Sequence, residues 1–543
     1  MPGRATLAAA GAAPLAPAGP RSGLPLFVAL GTVVLAFIRF GYAYGVGDQD
    51  ELIPSVLHLL DGNLFRQDWA IQTVTDGVTV RSYFLWLIAA PSALFPVWLA
   101  TAALWLVTGI AVGYAVYYVA YELLHDRLAA AIAVPLALAV TVRWTIGANA
   151  LHYPFLAPEG VAWAVSLLGV AAFLRGRLIP AGVLMGIGAW FHLLAGLHPA
   201  LLLGLWVVVG AAGRERPLRD VFVFGVAFTV AALPILIPVG IDHLAAATAD
   251  PAGPSPLYVH AYFRNPFHHL LSATPAGQLL RFALVAVPGA LAGLWLARRG
   301  GLQHARLLGV TAGLAILLIL AGALLVEVAH SSLAAKLQFQ KPTLLLVLGA
   351  AICISGAVVR AVPPRWRQWG LRMLEMRRTG LALVVVLMVA IGSLSAGGWI
   401  LGDRMQPLRH QETPLAEAER WAREHTRVDA LFAIPPSVST FRTTARRSVV
   451  ANFAAFVFTD EAMQAWYNRL LAVAPIDRPP AGFGLPPVLD AAYHAHDADS
   501  WEELREQFGI DFALVRRPLD LPFQIVFENP GWRIYALTAP AGS

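Results

Sequence analysis

Three carboxylates, Asp48, Asp50 and Glu51, crowd into four positions in the stretch GVGDQDELIP, directly after the first long apolar run. Carboxylates this close repel one another, so a cation, a proton or a substrate must offset them. A helix cap explains part of the cluster. Asp48 or Asp50 can cap a helix running on through ELIPSVLHLL, with Pro54 near its first turn. Capping accounts for one or two carboxylates, not for three together with Asp68 in FRQDW. Capping thus leaves at least one of these carboxylates for a functional role.

Other groups of chemical interest fall near the ends of apolar runs. His152, His192, His198, His268 and His269 lie there, as does Glu159 in PFLAPEG. Ionisable groups at membrane depth usually face a cavity, although an imidazole is also comfortable at an interface. His268 and His269 are adjacent, and neighbours on a helix diverge, which disfavours one shared zinc. Arg264 in YFRNPFHH, and Lys341 with Gln338 in LQFQKPTLLL, can hold a phosphate, Arg as a fork and Lys as a point charge. A snorkelling lysine is the plainer reading of Lys341. Arg442, Arg446 and Arg447 in FRTTARRSVV form a basic cluster for a lipid-linked or saccharide acceptor, or else a solvated face near anionic headgroups.

The elements that position these residues follow from composition. The chain is 58% hydrophobic and 13% charged, where soluble proteins carry about 25% charged residues. Lipid is therefore the solvent for most of it. Apolar runs at 24–46, 97–121, 128–145, 158–174, 178–195, 198–212, 219–240, 277–297, 305–327, 334–360 and 380–401 predict eleven helical spans, or up to thirteen if 82–96 forms a hairpin. SYFLWLIAAPSALFP at 82–96 is short for a span and reads as an interfacial helix of a first outer loop at about 47–96. Arg-rich connections such as GRERPLRD and ARRGGLQHAR alternate with Arg-poor ones that hold the residues above, and the positive-inside rule puts the Arg-rich set in the cytoplasm. The +6 net charge is then a topology signal and not a sign of nucleic-acid binding. Residues 1–22 read as a disordered cytoplasmic tail, 23–403 as the membrane domain, and 404–543 as a soluble α/β domain on the outer face. ALFAIPP, RRSVVANF, DFALVRR, FQIVFENP and WRIYALT are its strand candidates. Cys353 is the single cysteine, so no intramolecular disulfide exists. Abundant Ala, Arg, Gly and Pro suit a bacterial protein, here of the plasma membrane.

An acidic motif just after the first span, interfacial helices in the loop behind it and a soluble C-terminal domain resemble the GT-C superfamily of membrane glycosyltransferases. GDQDELIP stands where that family carries its Asp-Glu pair, with Asp50-Glu51 as the pair and Asp48 before it. With FRNPFHH and the FR…RRS tail, the chain looks like a bacterial branch of the family. The resemblance implies inverting transfer of a sugar from a polyprenyl-phosphate donor to a glycan, lipid or protein acceptor. Asp48, Asp50 and Glu51 would be catalytic, and Arg264, His268, His269 or Lys341 would stabilise the phosphate leaving group. Some members use a divalent cation at the acidic motif, where Asp48 and Asp50 would offer the oxygen ligands that suit Mg²⁺ or Mn²⁺. A lipid transporter and a non-catalytic assembly protein on the same scaffold are the competing function classes.

Overall fold

The computed structural model describes residues 23–142, 144–147, 149–245, 253–375, 413–477 and 482–537. Helices dominate it. Among the described residues, six are long and apolar enough to cross a membrane: α5 (Val97–Leu124), α9 (Leu193–Ala212), α10 (Leu218–Ala245), α12 (Ala276–Arg298), α13 (Ala305–Ala323, continued by a π turn Leu324–Val328) and α15 (Thr343–Ala361). Shorter apolar helices pack among them: α1 (Leu24–Phe40), α6 (Arg127–Thr141), α7 (Pro158–Leu174) and α8 (Leu178–Phe191). The chain is a multi-pass membrane protein. Small residues let the helices approach closely, as lipid-solvated packing requires. A Cβ on Gly182 or Gly186 of α8 would meet the α10 backbone at 2.8 or 2.7 Å.

Ten of the eleven expected spans appear as helices, and the eleventh, 380–401, lies outside the described residues. Boundaries moved where backbone geometry overrides apolarity. The first helix stops at Phe40, because Gly41 adopts φ +76° and returns its N–H to Phe37. Residues 41–47 are loop, pinned by Tyr42 to Thr101 at 3.0 Å and by Ala43 N–H to the Pro154 carbonyl at 2.7 Å. The expected span 334–360 is two helices, α14 (Ser332–Leu337) and α15, parted by Gln338 at φ +45° and by Pro342. That break frees Lys341 from the helical register. His192 joins α8 to α9, and its ring Nδ1 caps the second by accepting from Ala195 N–H at 3.2 Å.

Behind the first helix come α2 (Gln49–Leu60), α3 (Trp69–Thr75) and α4 (Ser82–Ser92). The short apolar segment is thus a helix of the first loop, as its length predicts. The α/β domain follows from Thr413 onward. Its sheet has the order β2 (Ser448–Val449), β1 (Leu431–Ala433), β3 (Phe512–Arg516), β5 (Trp532–Ala536), β4 (Gln524–Glu528). β1 pairs in parallel with β2 and β3, while β5 runs antiparallel to β3 and β4. Alternation places Leu431, Ala433, Ala513 and Val515 on one face, packed with Trp466, Tyr493 and Trp501, and Phe432 and Leu514 on the other with Phe441. One core runs across the junction: Ala455, Val457 and Ala462 of the domain pack with Leu52, Val56, Phe84 and Leu85 of the loop helices.

Candidate active site

The first turn of α2 sits at that junction, and its side chains divide the labour. Gln49 accepts from Gly45 N–H at 2.9 Å and donates to the Leu156 carbonyl at 3.0 Å. Asp50 is buried; its Oδ2 accepts from Asn452 at 2.7 Å and lies 3.8 Å from Arg442. Glu51 is buried against Arg81 at 3.4 Å and accepts from the Phe456 N–H. Asp48 alone is exposed, and its side chain makes no capping bond. Gly47 just before it is forced by geometry. It adopts φ +59°, and a Cβ there would stand 3.0 Å from the Phe155 ring.

Burial is the largest influence on Asp50 and pushes its pKa up to about 7, against the opposing pull of Arg442 and Asn452. Its Oδ1 has no hydrogen-bond partner. Glu51 is raised by burial as well. An unfolded aspartate titrates near about 4, so the folded chain holds this proton more tightly than the unfolded one. The stabilisation is complete below about pH 4 and is lost as pH rises through about 7. Resistance of the purified protein to thermal unfolding should therefore fall as pH rises over that window. Asp50→Asn should flatten the slope, leaving the part that Glu51 contributes.

A cationic group faces Asp48 from other elements. Arg264 ends a π helix (Tyr258–Arg264), stacks 4.2 Å over Phe453, and donates to Asn265 Oδ1 and the Ala454 carbonyl at 2.8 and 3.2 Å. Burial lowers its pKa to about 10, while Asp48 and Glu51 pull the other way. Lys341 is buried in the α14–α15 break, 3.4 Å from Glu159 Oε1 and 3.4 Å from His192 Nε2. Glu159 Oε2 accepts from the Tyr153 hydroxyl at 2.6 Å, and Asp48 acts electrostatically on Tyr153. His268 donates from Nδ1 to the Gly147 carbonyl at 2.6 Å. The acidic first turn, Arg264, Tyr153, Glu159, Lys341 and His192 thus share one end of the bundle, where proton abstraction and phosphate binding can occur side by side.

The structure gives several expected site residues other partners. Asp68 is fully buried, caps α3 through Ile71 N–H, accepts from Val449 N–H at 2.9 Å and pairs with Arg442 at 2.6 Å. Arg442 is 1% exposed and joins Asp68, Asn452 and Asp50, so it braces the domain junction and is not open to an acceptor. Arg447 donates to the Arg423 and Thr426 carbonyls at the end of the helix Pro414–His425, a C-terminal cap. Arg446 is half-buried near Tyr44. His152 packs on Trp105, with ring centroids 4.9 Å apart, and against Gly109. His198 and His269 donate to the Leu337 and Ala335 carbonyls, steadying the break that presents Lys341. Gln338 supplies the left-handed turn of that break. Asp50 is turned into the junction toward Asn452, and among the described residues no three His, Cys, Asp or Glu side chains converge. Arg81, Tyr153 and Asn452 were not singled out in the sequence. Each stands outside the acidic motif and gains its partner only in the fold.

A family model described as a domain of unknown function (DUF6798) matches residues 414–473, the first half of the α/β domain, including Arg442 and Asn452. No curated protein matches the chain. The crystal structure of ArnT from Cupriavidus metallidurans bound to undecaprenyl phosphate is similar at 16% identity and TM-score 0.51, covering 95% of this chain and 98% of that one. The chain thus has an ArnT-like, GT-C-like membrane-protein fold.

Proposed function

We propose that the protein is a glycosyltransferase that moves a sugar from a polyprenyl-phosphate donor to an extracytoplasmic glycan, lipid or protein. The observation that carries this reading is the exposure of Asp48 facing the half-buried Arg264, at the end of a GT-C-like bundle. Asp48 takes the proton from the acceptor hydroxyl as that oxygen attacks the anomeric carbon, which inverts the centre. The bond from that carbon to the phosphate oxygen breaks, and polyprenyl phosphate leaves. Arg264 and Lys341 stabilise the charge it carries away. The lipid bound in the ArnT structure is undecaprenyl phosphate, which sets the probe. Purified protein is mixed with a panel of undecaprenyl-phosphate-linked pentoses and hexoses in lipid nanodiscs, with a membrane-glycan extract as acceptor. Release of undecaprenyl phosphate from one of them is expected, and release from none overturns the reading.

The roles of the two cations separate kinetically. Arg264→Ala and Lys341→Ala should raise KM for the donor more than for the acceptor, with partial recovery at high donor concentration, because both would touch phosphate in the ground state. A shift confined to acceptor dependence would place these cations on the acceptor side.

Orientation follows the same reading: the acidic loop and the α/β domain face the periplasm or the outside of the bacterial plasma membrane, and the N-terminus faces the cytoplasm. Asp61→Cys and Asp499→Cys, both at exposed positions, should label in intact cells in a Cys353→Ser background. Labelling only after membrane disruption would invert the topology.

A further inference from the structure

Three consecutive side chains in the first turn of α2 are tied to three parts of the molecule, and the fourth is left open. Gln49 is held by the loop ahead of α7 and Glu51 by Arg81. Asp50 is held by the α/β domain, some four hundred residues along the chain. Asn452 is the hub of this last tie. Its amide donates to Asp50 Oδ2 at 2.7 Å and to the Val438 carbonyl at 3.1 Å. Its side-chain oxygen accepts from Arg442 at 2.8 Å and from Ala455 N–H at 3.1 Å. Arg442 is fixed in turn by two bonds to Asp68, the cap of α3. All four members are 1% exposed or less. Asp50 is faced by Arg442 from the domain, by Asp68 and Glu51 from the loop, and at longer range by Glu419.

We infer that Asn452 and Arg442 are positioning residues, which fix the first turn of α2 through Asp50 and so aim Asp48 at the acceptor hydroxyl. The inference rests on the reading of Asp48 as the base. It gives the α/β domain a task that needs no substrate contact: the catalytic loop is in register only when the domain is docked. A small domain joined by a buried polar network suits this, because such a network fixes one geometry where apolar packing alone tolerates several.

The test compares variants by turnover and by amide hydrogen exchange, in nanodiscs with the undecaprenyl-phosphate sugars above. Asn452→Ala should lose at least about tenfold in kcat with donor KM unchanged, and exchange at residues 48–52 should quicken. Asp50→Asn should lose kcat as well. The double variant Asp50→Asn/Asn452→Asp should recover most of that loss, because amide and carboxylate trade places across one contact and the new carboxylate still meets Arg442. Should Asn452→Ala fail to fold, the near-isosteric Asn452→Asp carries the same comparison. Wild-type kcat or unchanged exchange in the single variants would overturn the inference. A double variant as impaired as Asp50→Asn, with exchange restored, would make Asp50 a participant in the chemistry and overturn it too. Wild-type turnover in Asp48→Asn would instead sink the base reading, and the exchange result would still report whether the domain orders the turn.

Discussion

Asp48→Asn is expected to lower turnover by about 10² to 10⁴-fold, the range that a positioned general base contributes. The amide keeps the size of the side chain and its place before α2, but it cannot accept a proton. Since Asp48 is exposed and makes no capping bond, the variant should reach the membrane and unfold at the wild-type temperature. KM for the donor should change little, because the loss belongs to the transition state. Steady-state release of undecaprenyl phosphate, with a thermal melt on the same sample, checks both halves. Turnover near wild type would move the base elsewhere. Glu159, whose carboxylate joins Tyr153 and Lys341, would then be the next residue to replace.

The second large effect is on stability. Arg442→Met should destabilise the protein by about 3–5 kcal/mol, the cost of removing one partner from a buried ionic group. Asp68 would lose a 2.6 Å ion pair at a site with no solvent access, and Asp50 would lose its nearest cation. Two carboxylates would then sit buried with only neutral donors, and burial without a counter-charge drives them to take up protons. The damage should therefore be greatest at alkaline pH and smaller near pH 5. Unfolding of the purified variant across that range measures it. A change of less than about 1 kcal/mol would mean that water reaches the junction and screens the charges, as at exposed pairs.

Much of the fold was legible from the order of the residues alone. Apolar runs placed ten helices, since a segment in lipid must be apolar along about 20 residues to span the hydrocarbon and helical to satisfy its backbone. The length of 82–96 marked it as a loop helix, and α4 bears that out. Alternation marked three strands of the C-terminal domain, β3, β4 and β5, because residues on a strand face opposite sides in turn. These are local properties, readable from neighbours. Crowding at Asp48, Asp50 and Glu51 was equally plain.

Which carboxylate stays open was not legible. That depends on burial and counter-charge supplied from far away: Asn452 reaches Asp50 across 402 positions, and Arg442 reaches Asp68 across 374. Arg442 and Arg447 illustrate the same limit. Both belong to one basic motif, yet one is buried among carboxylates and the other caps a helix with its guanidinium on backbone carbonyls. Lys341 could be read as a phosphate cation or as a snorkelling side chain, and it is a break at Gln338 and Pro342 that turns it toward Glu159. Residue type states what a group can do. Only tertiary structure decides whether water, a counter-ion or a substrate meets it, because the electrostatic energy of a charge is set by whatever stands within a few ångströms, not by its neighbours along the chain.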